Sequence, residues 1–362
     1  MADEAHRRSG PGSPGRTLAV WGGAAALAVV IGGVAIGTAN AMLYSPEAEV
    51  ERYLEALADG DGGRALGIAQ GAGPTGGREV TGAATTLLDG EGLAAGFSAL
   101  EAVTVTAGER SGDTVPVSVA YRVDGRDHAT AFTLEHTGRE WLFFDRWRMA
   151  PVPLSTVRVA PDLWPAEAAG EHLTATVNGV EVTLTGQDAP VQDFAVLPPL
   201  VVEAEAGSTY LEAAASRTVV DGAAPDRPIP VALDLRYTDE AAAEAGRQLD
   251  EYLSGCTEQQ VLNPAGCPMG YETLNRIPPE TIEWAIAPDP SVEIIPLPEG
   301  PGTAEGPDLT RAAPVETGAR LTLEEIDLVS GERRRVEHEE PIVLEADLEV
   351  GPESLRYRPR VP

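Results

Sequence analysis

The side chains able to do acid–base or metal chemistry are few, and they are poorly spaced for it. Five histidines occur, His6, His128, His136, His172 and His338. His128 and His136 fall at the two ends of one predicted strand, and a rise of about 3.3 Å per residue separates them too far to share a metal. His338-Glu339-Glu340 lacks the second histidine of a metalloprotease helix. No GxSxG, SxxK or P-loop sequence is present. Asp59 and Asp61 lack the later acidic ligands and the closing glutamate of an EF-hand loop. Acidic residues number 57, so a cluster such as Glu337, Glu339 and Glu340 reads as a solvated edge. A glycosidase pair would instead come from different elements facing a cleft. Asp124, Asp127, His128 and Asp145 are the ionisable residues that predicted strands could carry into an interior. The chain is expected to bind no metal or cofactor, and no catalytic residue is assigned.

Cys256 and Cys267 are the two cysteines. The loop between them holds Asn263-Pro264 and Gly266, which suit a tight turn bringing the sulfurs together. A redox pair needs closer spacing and a zinc site needs more ligands, so a structural disulfide is expected. That bond requires an oxidising compartment.

The segment from Thr17 to Ala41 has no ionisable side chain and is long enough to cross a bilayer, for which roughly 20 apolar residues suffice. Arg7, Arg8 and Arg16 precede it and Glu47, Glu49 and Glu51 follow. Residues 1–16 are therefore expected on the cytoplasmic side of the plasma membrane and the bulk of the chain on the extracytoplasmic side, as a single-pass protein. Ala39-Asn40-Ala41 also suits signal cleavage, although the apolar run exceeds the usual signal length. Gly33 and Gly37 form a GxxxG pair that would let two such helices approach, a spacing that glycine-rich composition also produces unaided. The net charge of −31 excludes nucleic acid as a partner and should hold the acidic mass off an anionic lipid surface. Every basic residue is arginine.

The elements follow from periodicity and caps. Ser45-Pro46 starts a helix whose apolar face is Val50, Tyr53, Leu54 and Leu57. Further helices are expected over Arg64–Ala69 and Thr86–Leu100. Strands follow over Leu100–Ala107, Val115–Val123, His128–His136 and Glu140–Met149, with hairpin turns at Asp124-Gly125 and Thr137-Gly138. In the last of these, Trp141 and Phe143 share one face, Phe144 takes the other, and Trp147 also falls in the strand. All four are expected to line a core or pocket. After Pro151-Val152-Pro153 come short strands with a hairpin at Asn178-Gly179. A helix over Asp239–Leu253, capped by Thr238, then leads into the disulfide loop and more strands. Strands are placed at Thr281–Ile286, Val292–Pro296, Arg320–Val329, Arg334–His338, Ile342–Val350 and Ser354–Tyr357.

PEAEVERYLEALADGD followed by RALGIA, together with FTLEHTGREWLFFDRW, resembles the NTF2-like cone fold in its membrane-tethered form. The resemblance implies helices packed on a curved sheet enclosing a cone. The domain order and the TVNGVEV hairpin resemble teicoplanin-resistance-associated envelope proteins, although the cysteine-free residues 1–16 lack their zinc ribbon. CTEQQVLNPAGCPMGYE resembles a block of actinobacterial envelope proteins. The expected class is a membrane-anchored α+β protein: tail 1–16, transmembrane helix 17–41, NTF2-like domain 45–150, small β-sandwich-like module 151–225, and C-terminal α+β unit 226–362. The expected function is a non-enzymatic, extracytoplasmic binding or scaffold protein of the cell envelope, with cell-wall material or another membrane protein as partner. An NTF2-like hydrolase or isomerase acting on a small envelope-derived substrate is the alternative, and it needs an ionisable pair inside the cone. Oligomeric state is left open.

Overall fold

The computed structural model describes residues 43–70, 82–141, 143–164, 170–222, 227–287, 292 and 314–360. The predicted tail 1–16 and anchor 17–41, with Gly33 and Gly37, lie outside them. Two compact units divide the chain: Met1–Arg78 with Leu100–Pro153, and Glu79–Ala99 with Leu154–Pro362.

In the first unit Ser45 caps helix α1 (Pro46–Ala58), its Oγ accepting from the Ala48 amide at 3.2 Å, with Pro46 in the first turn. Asp61 caps α2 (Gly62–Ala69) similarly, accepting from the Arg64 amide at 2.9 Å. The sheet is an antiparallel meander of β1 (Glu101–Ala107), β2 (Thr114–Val123), β3 (Arg126–Glu140) and β4 (Phe144–Met149). Strict alternation in β2 buries Val115, Val117, Val119, Tyr121 and Val123 while the residues between them face solvent. The helix face of Val50, Tyr53, Leu54 and Leu57 is buried with them, and Tyr53 meets Phe132 edge-on with ring centroids 5.5 Å apart. Asp124-Gly125, with φ of 49° and 74°, forms the β2–β3 turn.

The second expected turn is displaced. Thr137-Gly138 does not end a strand; the register slips between His136 and Gly138, a bulge with Gly138 at φ 123°, and β3 continues to Glu140. The chain reverses at Glu140–Phe143, where Trp141 has φ 52° and the Phe143 amide donates to the Glu140 carbonyl at 3.2 Å. That shift takes Trp141 and Phe143 out of the strand in which the sequence placed them.

The second unit begins with the stretch expected to complete the first domain. A 3-10 turn (Thr86–Leu88) and helix α3 (Gly90–Ser98) both belong here. A three-stranded sheet has β5 (Ser155–Pro161) between antiparallel β8 (Gln192–Val196) and parallel β11 (Ile229–Leu233). A five-stranded sheet is formed by β6 (Leu173–Val177), β7 (Val180–Leu184), β9 (Leu200–Gly207), β10 (Leu211–Val220) and β12 (Leu235–Tyr237), in the order β12-β10-β9-β6-β7. The β module read over 151–225 thus takes β11 and β12 from beyond its expected end. A parallel partner such as β11 carries no hairpin signal, because nothing local ties it to β5.

Thr238 caps α4 (Asp239–Thr257), accepting from the Ala241 amide at 3.2 Å. Its buried face, Ala241, Ala245, Leu249, Leu253 and Cys256, recurs at helical spacing and shares a core with Leu321, Leu323, Leu344 and Leu348. Those leucines come from an antiparallel sheet of β13 (Glu283–Ile286), β14 (Val315–Ile326), β15 (Arg333–Val350) and β16 (Leu355–Arg360). Arg334–His338 and Ile342–Val350, read as separate strands, are one: Pro341 stands opposite Gly318 and the pairing runs on past it. Of the strand expected over Val292–Pro296 only Val292 is described.

These observations correct the expected membrane-anchored α+β class. The described residues form sixteen strands and four α-helices, a mostly β chain. Among them no helix is long and apolar enough to cross a membrane.

Candidate functional site

Alternation along β3 puts His136 on the same inward face as Phe132 and Leu134, beside Arg139 of β3, Asp145 and Trp147 of β4, and Arg110 of the β1–β2 loop. His136 Nε2 lies 3.2 Å from Asp145 Oδ1, and Arg139 Nε donates to the same oxygen at 3.0 Å. Trp147, paired with His136 across the strands, packs edge-on against its ring at 5.1 Å, and the Arg110 guanidinium sits 5.3 Å from the centre of the Trp147 ring. Burial alone would push the Asp145 carboxyl up, but hydrogen bonds from Arg139 and His136 outweigh it and hold it below its ordinary value. The spacing of His136 and Asp145, nine residues apart across a turn of uncertain register, concealed this pair in the sequence.

The four aromatic residues expected to line a core or pocket separate. Trp141 is 80% exposed and Phe143 is 53% exposed, both at the tip of the β3–β4 hairpin. Phe144 stacks on Tyr44 at 4.5 Å, and Trp147 belongs to the histidine cluster. Asp124 and Asp127 lie at the exposed β2–β3 end, where His128 stacks on Tyr121 at 5.8 Å. Cys256 and Cys267 are bonded, S–S 2.07 Å, and tie the end of α4 to the following loop. Trp284 Nε1 donates to the Val261 carbonyl within that loop at 2.9 Å. Among the described residues no three His, Cys, Asp or Glu side chains gather as a metal site.

In the C-terminal part of the second unit a hollow of about 580 Å³ opens beside β13. Its floor is apolar, from Ala285, Ile286, Ala319 and Pro341, and its rim carries Thr317 and the ion pair of Arg320 and Glu339 at 2.6 Å. Close by, the Gly270 amide donates to Glu340 Oε2 at 3.2 Å, so the segment after the disulfide loop is held to β15. Sequence reasoning missed this hollow because its walls are small residues on three strands far apart in the chain.

Comparison with family models, with curated proteins and with solved structures finds no match to this chain.

Proposed function

We propose that this chain is a binding protein of an oxidising compartment outside the cytoplasm, and that the hollow beside β13 receives a short segment of cell-wall peptide. One observation carries the binding reading: an apolar floor bounded by one cationic side chain, Arg320, and two anionic ones, Glu339 and Glu340. Stem peptides of the wall combine small apolar side chains with free amine and carboxylate groups, which match Glu339 and Arg320 respectively. The Cys256–Cys267 bond supports the compartment, since such bridges persist where thiols are not kept reduced. The envelope resemblance of the sequence agrees with both. Sedimentation of the full chain with purified peptidoglycan tests the reading. Wild type should co-sediment, and Thr317→Trp, which fills the hollow from a partly exposed position, should stay in solution. A wild type that remains wholly soluble with peptidoglycan would remove the wall from consideration.

The contact of His136 with Asp145 favours a second reading, in which the first unit is a hydrolase or isomerase using His136 as a general base. Arg139 on the same carboxylate oxygen argues for a structural clamp instead. Turnover of wall fragments by the wild type that His136→Asn abolishes, with peptidoglycan binding intact, would establish the enzymatic reading over the clamp.

A further inference from the structure

We propose that the tip of the β3–β4 hairpin in the first unit is a lipid-contact element that rests in the headgroup layer of a bilayer. Trp141 and Phe143 stand largely in solvent there, and Leu43 is 67% exposed. Large apolar side chains grouped on a surface mark a place where something covers them. The occupant is indicated by covalent connection. Tyr44 stacks on Phe144 at the base of the tip, and it stands only three positions after Ala41, the last residue of the uncharged apolar segment Thr17–Ala41. Three such steps reach at most roughly 11 Å. Wherever that apolar segment finds a hydrocarbon environment, the tip is held at the adjoining surface.

The side chains suit that level. Tryptophan prefers the boundary between hydrocarbon and water, where its ring is shielded and its N–H stays wet. Charge does not oppose that placement, against the character of the whole chain. From Leu134 to its partner Met149 there are Arg139, Arg146 and Arg148 against Glu135, Glu140 and Asp145, so this end of the hairpin is neutral in a chain of −31. Among the described residues Arg146 and Arg148 form no ion pair, and Asp145 is engaged by Arg139 and His136. Acidic surface elsewhere is repelled by anionic lipid headgroups, so this neutral tip is the part of the unit that can approach them. The proposal concerns the first unit alone and does not rest on the peptide hollow.

The experiment uses the full chain with vesicles of phosphatidylcholine and anionic phosphatidylglycerol whose acyl chains are brominated, which quench nearby tryptophan. The chain has five tryptophans. The Trp141 signal is obtained as the difference between Trp21→Phe and the double variant Trp21→Phe/Trp141→Phe, and the Trp21 signal as the difference between wild type and Trp21→Phe. Trp141 is exposed, so its replacement removes no core packing, and circular dichroism checks that each variant is folded. The Trp141 emission should shift to the blue on adding vesicles, fall strongly with brominated chains, and become inaccessible to aqueous iodide. Trp141 emission that is unchanged by brominated lipid and still quenched by iodide would overturn the proposal, whether or not Trp21 is quenched. Failure of the full chain to associate with these vesicles overturns it as well. Quenching of Trp141 without that of Trp21 supports it, with the tip then acting as a peripheral contact.

Discussion

Glu325 is only 1% exposed, and a carboxylate in that position survives because every approach to it is a donor. Tyr271 Oη and Thr273 Oγ1 donate to Oε1 at 3.0 and 2.8 Å, while Asn275 Nδ2 and Arg334 Nε and Nη2 donate to Oε2. Burial by itself would push the carboxyl up; these bonds, led by Arg334, outweigh it and pull the group from 4.5 down to about 2. A depressed acid contributes stability that is fully present above the unfolded value and lost as pH falls through the folded one, so this contribution should decline between about pH 4.5 and 2. Arg334 is itself 67% exposed, which screens the ion pair, so the cost of removing the charge is set by the buried end. Glu325→Gln should therefore destabilise the second unit by roughly 2–3 kcal/mol at neutral pH, with an amide N–H₂ turned against donors. Urea titrations at pH 7 and near pH 2 check this, and the difference between variant and wild type should shrink at the lower pH. Nothing in the sequence singles out Glu325 among 57 acidic residues, because a buried charge is recognised only by the partners that surround it. The same holds for His136, whose partner Asp145 lies beyond a bulge and a turn.

Helix α3 shows how a short element can be placed by a side chain from another. Asn178, the first residue of the β6–β7 turn at φ 48°, donates through Nδ2 to the Gly92 carbonyl of α3 at 3.1 Å and to the Val201 carbonyl of β9 at 3.0 Å. Its Oδ1 accepts from the Glu203 amide at 2.8 Å. Asn178-Gly179 is legible as a turn, since both positions need the left-handed region; its second role as a clamp is not. The helix can come this close because Gly96 has no side chain: a Cβ there would lie 2.6 Å from both Asn178 Nδ2 and the Val201 carbonyl oxygen. Gly96→Ala should lower the stability of the second unit by about 1–3 kcal/mol, since one of the obstructing atoms is backbone. Hydrogen exchange should show lost protection at α3 first, and unchanged protection across α3 and β9 would refute the clamp. The alternation of β2 and the capped face of α1 are by contrast readable residue by residue. The β3–β4 turn is not, because Thr137-Gly138 and the actual reversal at Glu140–Phe143 are equally acceptable locally. The bulge at Gly138 selects between them by keeping Leu134 and Met149 paired on the buried face.

At the scale of the whole molecule the disulfide belongs to one unit of the two, and that predicts an asymmetric response to reduction. Cys256 and Cys267 are separated by 11 positions, and closing such a loop contributes on the order of 3 kcal/mol in the chain-entropy account. Dithiothreitol should lower the melting transition of the second unit and leave that of the first in place, read by calorimetry on the full chain. Equal displacement of both transitions would contradict the division of the chain. The sequence by itself determined the local features: the caps at Ser45 and Thr238, the turns at Asp124-Gly125 and Asn178-Gly179, and the pairing of two cysteines close in the chain. Each depends on a hydrogen bond, a φ preference or a loop closed within a few residues. Tertiary structure alone decided that α3 joins the second unit, that β11 pairs in parallel with β5, that Glu325 is interior, and that Trp141 and Phe143 stand outside. Those outcomes depend on which distant segments bury one another, and apolar burial is non-directional, so many arrangements satisfy the same local pattern until the full set of partners is assembled.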